Sequence, residues 1–87
     1  MGNAIRFSQS AFKHGVTEAD IRKAFDTKKY DAEIDGDGFE DKYLLVGFDC
    51  NANLLEVMYN AIDSDTVRVF HAMKCRKAYT ELIEATE

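Results

Sequence analysis

The run from Lys42 to Phe48, KYLLVGF, most constrains the fold of this chain. Read as an extended segment, it puts Tyr43, Leu45 and Gly47 on one side and Leu44, Val46 and Phe48 on the other. A strand that is apolar on both faces must be covered on both, so this one is predicted to be central in its sheet. The 87 residues suit one domain, 1–87, and a chain of that size buries only about 60–65% of its unfolded surface.

The flanking segments supply the other elements. Asn3 to Phe7 reads as a short strand or a lead-in. Ser8 is placed to cap a helix from Gln9 to His14, with Gly15 as its stop. Thr17 opens a second helix, with Asp20 in the capping-box position and Ile21, Ala24 and Phe25 as the apolar stripe. Tyr30 to Ile34 alternates polar and apolar residues, as an edge strand does. Gly36-Asp37-Gly38 is turn chemistry, and Asp49 to Asn53 is a hairpin loop. Leu54 to Tyr59 is the next strand, and Asn60 to Asp65 turns the chain. Thr66, Val67, Val69 and Phe70 begin a final strand. A closing helix carries Ala78, Tyr79, Leu82 and Ile83 on one stripe. The expected fold is α+β: two N-terminal helices, an antiparallel meander of about four strands and a C-terminal helix, with the helices on one face. Phe12, Ile21, Phe25, Leu45, Val57, Val69, Tyr79 and Leu82 are the expected core.

Charge is unevenly spread. The formal net charge is −5, yet Asp35 to Thr66 holds eight acidic residues against Lys42 alone, and the two ends are mildly basic. That distribution argues against non-specific binding to bulk nucleic acid and leaves room for a local anion site where the ends meet. Cys50 and Cys75 make no disulfide framework and no CxxC pair. With no signal-peptide pattern at Met1, they point to a reducing cytoplasm. No apolar run is long enough to cross a membrane as a helix.

Metal sites fit poorly. Asp31 to Gly36 opens like a calcium loop, but its twelfth position is Lys42, where the bidentate glutamate is required. An acidic hairpin is the expected reading, with Asp35, Asp37 and Glu56 as solvated surface. A zinc site would need His14, His71, Cys50 and Cys75 to converge, and no two have ligand spacing. No metal and no cofactor are expected.

The chemistry gathers at two places. Lys13-His14 closes the first helix, and His71, Lys74 and Arg76 mark the last strand–helix junction, flanked by Arg68 and Lys77. Cations at a helix start oppose its macrodipole, so an anion is expected there. Histidine suits proton transfer and Lys/Arg suit charge stabilisation, the parts of a metal-free ribonuclease. His14, with Lys13 and His71, is the expected catalytic group. Lys74, Arg76, Arg68 and Lys77 are the expected RNA-binding residues. The competing reading is a non-catalytic module whose acidic sheet binds a basic partner.

Arg6-Phe7, Lys13-His14-Gly15-Val16, Leu54-Leu55-Glu56-Val57 and Val69-Phe70-His71-Ala72-Met73 occur in an order that resembles the BrnT-type toxins, small ribonucleases of bacterial type II toxin–antitoxin systems. The family's Ala-Arg pair after the last strand is here Ala72-Met73, with Lys74 and Arg76 further on. The resemblance implies a RelE-like fold, cleavage of single-stranded RNA without a metal, and a cognate antitoxin as partner. Within that reading the chain works as a homodimer or as a toxin–antitoxin hetero-oligomer.

Overall fold

The computed structural model describes residues 4–34 and 42–86, with side chains through residue 81. Five strands form one sheet: β1 (Ala4–Phe7), β2 (Tyr30–Glu33), β3 (Lys42–Phe48), β4 (Leu54–Asp63) and β5 (Thr66–Lys74). Their spatial order is β1-β5-β4-β3-β2. From β2 to β5 each strand pairs antiparallel with the next, whereas β1 lies parallel to β5. Helix α1 spans Glu18–Asp26 and helix α2 spans Lys77–Thr86. No helix among the described residues is long and apolar enough to cross a membrane.

β3 is an internal strand, and Leu44, Leu45 and Val46 are all buried, as its double apolar pattern requires. One face of the sheet carries Leu45, Leu55, Val57, Tyr59, Val69 and Ala72 against Ala11, Ile21 and Ala24. Burying a large aliphatic side chain contributes about 1.5–3 kcal/mol, so this layer is the main source of stability. Thr17 caps α1 through a reciprocal capping box with Asp20, as the sequence predicts. The opposite face carries Leu44 and Val46 with Tyr30, Leu54, Met58 and Tyr79. Gly47 is where α1 meets β3 most closely, because a Cβ there would overlap the carbonyl oxygen of Ala24.

The class is α+β, but the expected arrangement of its elements is overturned. In place of two N-terminal helices there is one α-helix, preceded by a single 3-10 turn, Gln9–Phe12. Ser8 does not cap it. Ser8 Oγ instead bonds Ser10 Oγ (2.8 Å) and lies 3.3 Å from the carbonyl of Val69, while Ser10 Oγ donates to the carbonyl of Phe70 (2.6 Å). Side-chain bonding of this kind competes with helix formation, and the edge of β5, distant in sequence, offers the carbonyl acceptors. The sheet has five strands and is mixed, since β1 pairs with residues 62 positions away, which local pattern cannot reveal. The helices also sit on opposite faces. α1 covers Leu45, and Tyr79 of α2 packs beside Leu44 and Val46.

The expected core is corrected accordingly. Ile21, Leu45, Val57 and Val69 share one cluster with Phe25 packed against it. Phe12 is exposed, and Tyr79 belongs to the other face. The side chain of Leu82 lies outside the described residues, as do Asp35, Asp37 and the Gly36–Gly38 turn. The chain does not turn from Asn60, because β4 continues through Asp63.

Candidate functional site

Glu56 lies in β4 between Leu55 and Val57, and it is fully buried. Its register partner on β5 is Met73. Burial of a carboxylate demands partners for both oxygens. Oε1 accepts from the backbone N–H of Arg76 (3.0 Å) and from its Nε (3.1 Å). Oε2 accepts from Arg76 Nη2 (2.6 Å) and meets His71 Nε2 at 2.9 Å. Arg76 precedes α2, and its carbonyl accepts from Tyr79 and Thr80 of the first turn. The anion that the basic helix start called for is therefore supplied by the chain itself.

Glu56 was expected on the solvated surface, and the structure corrects that. A single acid within Leu54–Tyr59, where apolar residues occupy both alternating sides, was the available signal. Burial raises its pKa, but the hydrogen bonds from Arg76 and His71 outweigh it and hold the carboxyl below its usual value. The same carboxylate holds Arg76 protonated, its pKa raised first by that hydrogen bond.

His71 is a residue of β5, not of the junction after it. β1 ends at Phe7, opposite Val69, and the 3-10 turn then takes over the edge of β5 at Phe70. The turn brings His14 against His71, with ring centroids 5.7 Å apart in an edge-to-face arrangement. His14 is exposed and His71 half-buried. With Glu56 ionised, the hydrogen bond puts the proton of neutral His71 on Nε2 and leaves the lone pair on Nδ1. Two imidazoles, one oriented by a carboxylate, can take and return a proton.

The remaining predicted residues do not all join this cluster, and Lys74 shares the face of Leu55 and Ala72, opposite to that of His71. Lys13 is exposed beside His14 at the end of the turn. Lys74 is exposed at the end of β5, and Lys77 is exposed at the start of α2. Arg76 is half committed: Nε and Nη2 are bound to Glu56, and the guanidinium lies 5.4 Å from the Tyr79 ring. Arg68 lies further back on β5, next to Arg6 of β1. Cys50 is exposed, Cys75 is half-buried, and both are free. No group of three or more His, Cys, Asp or Glu side chains among the described residues is arranged to hold a metal ion.

Fold and site together define a mixed-sheet α+β domain with a carboxylate-anchored histidine pair. No protein-family model matches the chain, and no curated protein matches it closely enough to count as a relative.

Proposed function

We propose that the domain is a metal-independent ribonuclease of the toxin type, acting on single-stranded RNA and restrained by a cognate antitoxin. The observation that carries this reading is the contact between His14 and His71, with His71 held at 2.9 Å by buried Glu56. The scattered likeness to BrnT-type toxins also supports it, because Lys13 and His14 fall in a matching piece. In the proposed reaction one imidazole removes the proton of the ribose 2′-OH. The 2′-oxygen bonds to phosphorus, the bond from phosphorus to the 5′-oxygen breaks, and an imidazolium returns a proton to that oxygen. His14 is the exposed exchanger and His71 the anchored one. Lys13, next to His14 in the chain, is the cation left to meet the developing phosphorane charge, because Lys74 shares the face of Leu55 and Ala72, opposite to that of His71.

The test uses purified, folded protein freed of any antitoxin, single-stranded RNAs of varied sequence, and EDTA. Cleavage is expected, and His14→Ala should lower the rate about 10²–10⁴-fold with the fold retained. Absence of cleavage across all RNAs would favour the non-catalytic interaction module. Undiminished cleavage in both His14→Ala and His71→Ala would discard the histidine mechanism.

A further inference from the structure

The face of the sheet opposite α1 carries a row of cations that the histidine site does not use. Arg6 of β1 stands beside Arg68 of β5, Arg68 opposite Asn60 of β4, and Asn60 opposite Lys42 of β3. Strand alternation sets all four on the face of Leu44 and Met58, because Phe7, Val69, Tyr59 and Tyr43 beside them pack on the other. Adjacent strands lie about 4.8 Å apart, so the row spans about 14 Å. Arg6 and Arg68 are exposed, and neither has an acidic partner among the described residues. Like charges side by side in a sheet are destabilising. Here they stand together in a chain of net charge −5. Between Arg68 and Lys42 the amide nitrogen of Asn60 is buried with no hydrogen-bond partner among the described residues. Among the described residues the row thus offers donors and has no acidic partner.

Beside the row, on the same face, opens a cavity of about 400 Å³ lined by Tyr30, Leu44, Met58, Phe70 and Tyr79, with Lys42 and the acidic Glu33 also in its lining. That size lies within the range of small-ligand pockets. Its far side reaches the histidine site. Met58 pairs across the strands with His71, Phe70 directly precedes His71, and Tyr79 lies under Arg76. Cations that take phosphates, next to aromatic walls that take a base, form the pattern of a single-strand nucleic-acid surface.

We infer that this face is the track for the RNA strand: Arg6 and Arg68 hold a phosphate, and the Phe70–Tyr79 pocket receives a base next to the one whose linkage meets His71. The identity of the strand as RNA rests on the ribonuclease reading, whereas the track itself rests on the row and the cavity. An acidic peptide would satisfy the arginines but would leave the aromatic pocket without a role.

The test is binding of a fluorescein-labelled 2′-O-methyl RNA decamer, followed by anisotropy over a salt series. This probe lacks the 2′-OH and is not cleaved, so binding is read apart from chemistry. The intact protein should bind it. Replacing both arginines (Arg6→Ala with Arg68→Ala) should weaken binding at least tenfold and flatten the salt slope by about one to two. Phe70→Leu keeps an apolar side chain but removes the ring, and should weaken binding about fivefold or more. Lys23→Ala on α1, across the sheet, should leave binding unchanged. No binding by the intact protein, or equal binding after loss of both arginines, overturns the track. Binding to poly-glutamate as tight as to RNA and insensitive to Phe70→Leu also overturns it and assigns the face to an acidic protein. Normal decamer binding without cleavage of ordinary RNA removes the ribonuclease reading alone.

Discussion

The Nη2 of Arg76 donates to Oε2 of Glu56 at 2.6 Å while the backbone N–H of Arg76 donates to Oε1 at 3.0 Å. One buried carboxylate thereby pairs with a guanidinium, fixes the chain entering α2 and orients His71. Removing it leaves four N–H donors, three of Arg76 and one of His71, to find water. Arg76 is half exposed and can do so in part, which limits the penalty. Glu56→Ala should therefore cost about 2–4 kcal/mol. Urea unfolding checks this, and a loss under about 1 kcal/mol would mean that the cluster is not structural.

The pH dependence follows from the same carboxylate. Its pKa is held below the usual value in the folded state. Its contribution is therefore complete above the unfolded carboxyl value, near about 4.3, and is lost as pH falls through the lower folded value. Between pH 5 and 3 the wild type should lose more stability than Glu56→Gln. Parallel acid limbs for the two proteins would contradict the assignment.

Gly47 is predicted to tolerate no side chain. A methyl group there meets the backbone of Ala24, which cannot swing aside as a side chain tip can. Gly47→Ala should destabilise by about 1–3 kcal/mol or more by pushing α1 off β3. A Tm within a degree of wild type would show that α1 can shift freely.

Leu45 is fully buried between α1 and the neighbouring strands. Leu45→Ala should cost about 2–5 kcal/mol, enough to unfold a small domain in mild denaturant. Thermal melting by circular dichroism reads the effect directly, and a cost under about 1 kcal/mol would misplace the core.

Tyr59 donates from its hydroxyl to Asp31 Oδ1 at 2.7 Å and stacks on Tyr43, tying β4 to the edge strand β2. Burial, together with that carboxylate, raises its pKa well above the usual phenol value. Tyr59→Phe should cost about 1–2 kcal/mol and speed amide exchange in β2 first. Uniform exchange across the sheet would argue that β2 is held by backbone pairing alone.

Local chemistry was enough for several elements. Thr17 and Asp20 set the start of α1 because a capping box is satisfied within four residues. The alternation in β2 and the double apolar face of β3 required an edge strand and an internal one. That second requirement already demanded cover on both faces, which the expectation of helices on one face had set aside. The 3-10 turn was not legible, because its serines are drawn to carbonyls of β5 about sixty residues away. For the same reason β1 read only as a short strand or a lead-in.

By itself the sequence determined the α+β class, the internal place of β3, the capped start of α1 and the presence of two histidines among basic residues. Those depend on side-chain period and on bonds between near neighbours. Tertiary structure alone decided that His14 meets His71, that Glu56 is the anion at the start of α2, and that Arg6, Arg68 and Lys42 form one row. Each of those depends on strand order and register, which are set by burial of the whole sheet and not by any local run of residues.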